Sequence, residues 1–433
     1  MNIKFKSSGI SWIGKIPSSW EVTKIKFVGS ARNGLTYTPQ DLTDESGILV
    51  LRASNIQNEK IDLNDNVYVS CKINSDLMVK NGDILICSTN GSKELVGKNA
   101  IIENDLRATF GSFMLNFRCD NPKYMFYVLN SEIFETYRWS FSTTTINQLT
   151  RQNFKNMKFP LPPLVEQKRI SDYLDKKCGQ IDGLRQSIKE KITNLKSYKN
   201  SLITKAVTGK LAISNEKLEM KNSGISWIGK IPSSWEVRPV FYIFEQRKNK
   251  NIFGQETNLL SLSYGKIIKK DINTSFGLLP ENFYGYNIVE KDDIVLRLTD
   301  LQNDKKSLRV GLVLDNGIIT SAYITLKPKI NLNANFMYYL LHSYDIQKVF
   351  YNLGSGVRQS LTFDEFKKLK LLLPALAEQN KIVEFLDIKC KIIDDLIANL
   401  NRQDEILSEY KKSLIYECVT GKLAIKEQKC QIW

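Results

Sequence analysis

Two stretches of the chain alternate short apolar runs with Gly, Asn and Asp. GILVLRA, DILICST, FMLNFRC, DIVLRLT and ITSAYITL are β-branched and end at such residues, so they predict strands. KYMFYVLNSEIFETYRW and ANFMYYLLHSYDIQKVFYN place apolar residues at helical spacing and predict helices. The class is therefore α+β, with two mixed α/β globules. A different period follows each globule. Leu174, Ile181, Ile188, Leu195 and Leu202 recur every seven residues, as do Leu386, Ile393, Leu400, Leu407 and Leu414. A strict heptad is a coiled-coil signature, and Leu184, Ile192 and Leu396 are expected to fill part of a second seam. The LPPL and LPAL leads cannot be helix interior, and Thr-Gly-Lys at 208–210 and 420–422 supplies a glycine at each helix end.

These elements occur twice because the chain is a tandem repeat. SGISWIGKIPSSWEV at 8–22 returns unchanged at 223–237; LPPLVEQKRI at 161–170 returns as LPALAEQNKI at 373–382; YKNSLITKAVTGKLAI at 198–213 returns as YKKSLIYECVTGKLAI at 410–425. The stretches between these blocks are similar in length but unlike in sequence, with faint matches such as VKNGDILIC (79–87) beside VEKDDIVLR (289–297). One fold is used twice with its working surface changed. The division expected is 1–22, a shared segment; 23–160, a first globule; 161–213, a long helix; 214–237, a linker and the repeated segment; 238–372, a second globule; and 373–433, a second long helix and tail. If the helices pair they run antiparallel, each about 60 Å long. The units then have a pseudo-two-fold relation that matches the symmetry of duplex DNA backbones.

Composition narrows the chemistry. Of 433 residues, 42% are apolar and 25% charged, as in an ordinary folded protein. No apolar run suits a membrane span, and the N-terminus lacks a signal-peptide core. Seven scattered cysteines without a C-x-x-C pair point to a reducing cytoplasm, with neither a zinc site nor a disulfide framework. The net charge of +15 favours a polyanionic partner; the 238–370 and 159–213 segments carry +6 each. The single histidine, His342, reads as an ordinary helix-end residue and leaves no set of His ligands. GISWIGKI starts like a P-loop, but Ile16 and Ile231 stand where Ser or Thr is needed and a proline follows, so it reads as a turn anchored by Trp12, Trp20, Trp227 and Trp235. LPPL lacks the acidic or amide residue of a methyltransferase motif. No dinucleotide fingerprint, zincin motif or clear nuclease core stands out, so no catalytic or metal residue is assigned.

A binder of duplex DNA reads bases with Arg, Lys, Asn, Gln, Ser or Thr from rigid loops. The polar loop clusters nominate Arg52, Asn55, Thr89, Asn90, Ser92, Lys93, Thr143, Thr144 and Thr145 in the first globule, and Lys266, Arg297, Thr299, Ser355, Arg358 and Gln359 in the second. Turn chemistry competes as an explanation for each.

Taken together the features resemble the specificity subunit of type I restriction–modification systems, along essentially the whole chain. The resemblance rests on IGKIPSSWEV (13–22 and 228–237), PLPPLVEQ (160–167) with LPALAEQ (373–379), and twin helices ending in TGKL. It implies that the globules are target recognition domains, each reading half of a bipartite, asymmetric DNA target. It also implies that the helices set the gap and dock two modification (methyltransferase) subunits, and that restriction subunits join the complex in phage defence. S-adenosylmethionine, ATP and Mg2+ are expected in those partners and no cofactor in this chain, which is non-catalytic by itself. Adenine methylation and ATP-dependent cleavage would belong to the complex, in the cytoplasm. Ala375, where the first repeat has Pro163, departs from the motif at one turn. The competing classes are a coiled-coil scaffold with protein-binding globules, and a fused methyltransferase or nuclease.

Overall fold

The computed structural model describes residues 4–139, 147–211, 219–272, 282–302, 308–353 and 360–425. The chain forms two compact units, and they are not successive halves. One comprises Met1–Ile188 with Asn401–Trp433; the other is Lys189–Leu400.

In the first unit a four-stranded antiparallel sheet has the order Asn99–Ile101, Ile84–Cys87, Met114–Cys119, Gly29–Asn33. Its strand Ile84–Cys87 is apolar without alternation because both faces are covered. Ile84 and Ile86 join the core built on Trp20 and the long helices, whereas Leu85 and Cys87 face a second core with Leu49, Leu51 and Phe110. That second core lies under another sheet, ordered Ala108–Phe110, Ile48–Leu51, Tyr68–Val69, Leu42–Thr43, whose first pair is parallel.

The second unit repeats the first sheet in the same order: Val310–Leu312, Ile294–Leu296, Ile324–Pro328, Phe244–Gln246. The side chains again part by period, Ile294 and Leu296 to the main core and Val295 to a smaller one. Each sheet holds a buried aspartate just before its apolar strand, but the arginine that meets it comes from a different strand. Arg118 binds Asp83 at 2.6 Å from within Met114–Cys119, while Arg247, just beyond Phe244–Gln246, binds Asp293 at 2.6 Å.

Two expected helices are shorter than their apolar patterns. KYMFYVLNSEIFETYRW divides into Pro122–Leu129 and Glu132–Trp139. There the Asn130 side chain donates to the Phe126 carbonyl and to Asn99, and the Ser131 hydroxyl donates to the Val128 carbonyl. Such local bonds compete with the helix ladder. The second pattern is helical over Ala334–Ile346, then passes through Lys348 at φ 57° into the 3-10 turn Val349–Asn352.

Leu164–Val207 and Leu376–Val419 are helices of 44 residues each. Leu174, Ile181, Ile188, Leu202, Leu386, Ile393 and Leu414 are buried, and Leu195, Leu400 and Leu407 are half-buried, so the heptad seam is formed. Leu184 and Leu396 correct the expectation of a second seam: they are 57% and 48% exposed. In the first unit that flank is polar instead. Asp182 meets Lys411 at 3.0 Å, and Arg185 makes a two-pronged contact with Asp404 at 2.7 and 3.2 Å. One residue number rises as its partner falls, so these segments are antiparallel. In the second unit Lys199 and Asp394, the repeat counterparts of Lys411 and Asp182, pair at 2.7 Å.

The repeated motifs meet one another. Leu414, Ile415, Cys418 and Val419 share a core with Ile10, Ile13, Ile16 and Trp20, so the end of the last helix completes the unit that begins the chain. Leu202, Ile203, Ala206 and Val207 do the same for Ile228, Ile231 and Trp235. Gly421 and Gly209 both sit at φ 68°, where Ala or any larger residue is strained, and a Cβ there would lie 2.4 Å from Pro17 Cδ and 2.3 Å from Pro232 Cδ. The Trp20 indole N–H donates to Glu166 at 3.0 Å. Trp12 is 44% exposed, which corrects its expected role as an anchor; the isoleucines and Trp20 hold that turn. The EQ glutamines are buried and donate to the carbonyls of Pro162 and Pro374, so Ala375 leaves the turn unchanged.

Candidate nucleic-acid interface

In the first unit three of the nominated residues meet. Arg52, Thr89 and Asn90 line one groove of about 780 Å³ together with Tyr37, Ser54, Ser112 and Phe113. The 88–93 turn is fixed from below, since the Ser88 and Thr89 amides donate to the Phe113 carbonyl. It is fixed from the side by Leu149 N–H to the Ser88 carbonyl at 2.7 Å and by Asn147 Nδ2 to the Gly91 carbonyl at 3.1 Å. Phe113 projects at 66% exposure, and its flat face suits packing against a sugar or base. On the rim, the Thr38 amide donates to Asp41, and that hydrogen bond with the Thr38 hydroxyl holds the carboxyl below its ordinary range.

Arg52 is half-buried and its guanidinium is engaged by the Asp65 carboxylate at 2.9 Å. Asn55 is a correction. It is wholly buried, accepts from the Arg52 amide and donates to the Asp62 and Asp65 carbonyls, so it shapes the loop that presents Arg52 rather than facing a ligand. Ser92 and Lys93 are exposed beside the groove, with the Ser92 amide held by the Asn90 side chain. Thr143, Thr144 and Thr145 lie outside the described residues; the segment that follows them, 147–149, is the one bonded to the 88–91 turn.

In the second unit Lys266 opens the strand Lys266–Lys269, paired with Leu260–Ser263 across a turn at Tyr264 and Gly265, with φ of 46° and 77°. Tyr264 is 82% exposed at its tip, and Lys266, Lys269 and Lys270 are exposed alongside. Arg297 and Thr299 are half-buried in one loop. That loop hangs on Arg309, a residue the sequence did not nominate. Its buried guanidinium donates to the carbonyls of Arg297, Thr299 and Asp300 and to the Tyr351 hydroxyl, and its amide donates to Asp345 at 2.6 Å. Ser355, Arg358 and Gln359 lie outside the described residues.

Burial pushes the Cys119 and Cys418 thiols up to about 12 and Cys178 to about 11, far from thiolate reactivity at neutral pH. Burial, helped by the charge of Lys199, lowers His342 to about 4, and its ring stacks on Tyr338. Among the described residues no His, Cys, Asp and Glu group could hold a metal ion, and no helix is long and apolar enough to cross a membrane.

The pattern of the type I restriction modification DNA specificity domain matches residues 17–194 and again 232–407. The chain belongs to this family. Its function is DNA target recognition as a specificity subunit. Over 434 residues it is 29% identical to a Methanocaldococcus jannaschii protein provisionally described as the MjaX type I restriction enzyme specificity subunit, covering 96% of each chain. It is 24% identical over 427 residues to the StySPI type I restriction enzyme specificity subunit of Salmonella potsdam, covering 95% of this chain and 90% of the relative. A chain solved in a study of complex assembly and conformational transition of the type I R-M system shares the fold, with a TM-score of 0.68 over 94% of this chain and 99% of that one, at 15% identity. The two domain matches overlap the two globules and their helices, in agreement with the doubled sheet order.

Phe113, Tyr264 and Arg309 were missed for different reasons. Exposed aromatics in turns carry no periodic signal. Arg309, however, interrupts the apolar run LRVGLVL, and a lone charge at the edge of a buried strand is a readable mark of an internal brace.

Proposed function

We propose that the chain reads a bipartite, asymmetric DNA target, one half-site per globule, and is non-catalytic by itself. The first globule would use the groove formed by Arg52, Thr89, Asn90 and Phe113. The second would use the Tyr264 hairpin with Lys266 and the loop of Arg297 and Thr299. The observation that carries this reading is the repetition of one sheet order under two unlike polar surfaces, as suits a shared frame with two different base preferences. The paired helices set the distance between half-sites and dock two modification subunits. S-adenosylmethionine, with ATP and Mg2+ for restriction subunits, belongs to those partners, and the assembly works in the cytoplasm.

The test is the methylome of cells expressing the chain with a modification subunit, read by single-molecule sequencing. The expected result is a two-part adenine-methylated motif that disappears without this chain. An active, co-purifying modification subunit that leaves no such motif would refute the proposal.

A further inference from the structure

Lys411 stands on the last helix with its side chain only 12% exposed and two carboxylates upon it, Asp182 of the first long helix and Glu59 of the first globule, each at 3.0 Å. Burial disfavours its ammonium, but the charges of Glu59 and Asp182 outweigh this and raise its pKa. The repeat counterpart, Lys199, binds Asp394 at 2.7 Å. The hairpin of the second unit is held in another way, by the Tyr338 hydroxyl donating to the Gly265 carbonyl at 3.1 Å. The residue matching Tyr338 at the 212-residue offset is Phe126, which has no hydroxyl.

Glu59 reaches Lys411 from an unfavourable backbone. Asn58 and Glu59 form the two-residue turn between Ile56–Gln57 and Lys60–Ile61, with φ of 51° and 64°. Glycine is the favoured second residue of such a turn, and a glutamate there is strained. The hairpin also follows directly from the Ala53–Asn55 turn, and the Asn55 carbonyl accepts from the Asp62 amide beyond it. A shift of the hairpin therefore moves Arg52 and that wall of the groove. Beside the contact lies an open cavity of about 680 Å³, lined by residues of the globule and of both long helices, while the close packing of the hairpin, through Ile56 and Ile61, is to the globule's second core.

We propose that Lys411 is a positioning residue for the first half-site: through Glu59 it fixes the 56–61 hairpin, and with it Arg52, against the helix pair. The latch rests on the reading that the first globule recognises DNA, and it makes the spacing of the target depend on one side chain of the last helix.

The test uses the full-length chain assembled with its modification subunits, on duplexes carrying the methylome motif with its natural gap or a gap longer or shorter by one base pair. Lys411→Met and Glu59→Gly should each reduce the preference for the natural gap about tenfold, roughly 1.4 kcal/mol, while discrimination within the second half-site stays at the wild-type level. Lys411→Arg should retain the preference. Glu59→Gly relieves the strained turn, so its thermal stability should not fall, which separates positioning from a merely structural role. Unchanged gap preference in both variants, or equal loss of discrimination at the two half-sites, overturns the latch. A wild-type assembly with no sequence preference overturns instead the recognition reading beneath it.

Discussion

Ile415 and Ile203 occupy corresponding positions of the two long helices, at 3% and 1% exposure, yet they belong to different cores. Ile415 packs in the cluster of Ile10, Trp20 and Leu174; Ile203 packs in that of Ile231, Trp235 and Leu386. Truncating either to alanine removes three buried carbons and leaves a cavity, at a cost of about 2–5 kcal/mol. Against a domain stability of about 5–15 kcal/mol this weakens a unit without abolishing it. A loss near 3 kcal/mol raises local opening by roughly two orders of magnitude. Hydrogen exchange with mass spectrometry reads this strand by strand. The prediction is a crossed result: Ile415→Ala speeds exchange in Ile84–Cys87 and Met114–Cys119, both far away in sequence, and spares Ile294–Leu296 and Ile324–Pro328. Ile203→Ala does the reverse. If Ile415→Ala loosened the second unit, or both units alike, the division of the helices between the cores would be wrong.

The pH dependence of the second unit should bear the mark of His342. Its folded pKa is about 4 against an ordinary 6.5, so its contribution is full above 6.5 and falls as pH drops toward 4, by about 2 kcal/mol at pH 5; denaturant melts of wild type and His342→Leu should diverge over that window, and parallel curves would refute the assignment. Gly421→Ala should destabilise the first unit by about 2 kcal/mol through its positive φ and its approach to Pro17. Gly179→Ala, in open space within a helix, should stabilise by about 0.5–1 kcal/mol, and thermal melts compare the two. Arg309→Met should lower the stability of the second unit by about 3 kcal/mol or more, because buried hydrogen bonds from a charged donor are lost, and should weaken base discrimination in one half-site. Undiminished discrimination in duplex binding would detach Arg309 from recognition.

The frame of this protein was legible where burial imposes a period. Strands covered on both faces gave unbroken apolar runs, and the helix seam gave heptads at Leu174 and its successors. Leu184 and Leu396 were misread because a heptad pattern marks one seam and says nothing about whether its flank is apolar or, as at Arg185 and Asp404, charged. Candidate contacts were legible by residue type alone. Arg52 and Asn90 lie 38 positions apart, and only the folded loops put them in one groove. Asn55 looked equivalent to them, since a polar loop residue reads the same whether it points outward or binds the carbonyls beneath it.

The closure of the first unit by the end of the last helix has a consequence for synthesis. A polypeptide emerging from the ribosome normally folds its leading domain first. Here the first globule lacks Leu414, Ile415, Cys418 and Val419 until that helix end is translated, whereas every residue of Lys189–Leu400 has already been made. The inner unit is therefore complete before the outer one, which waits for residues 414–419. A chain released before residue 414 keeps one finished unit and one open core, so an incomplete copy is marked by exposed apolar surface around Ile10, Ile13, Ile16 and Trp20.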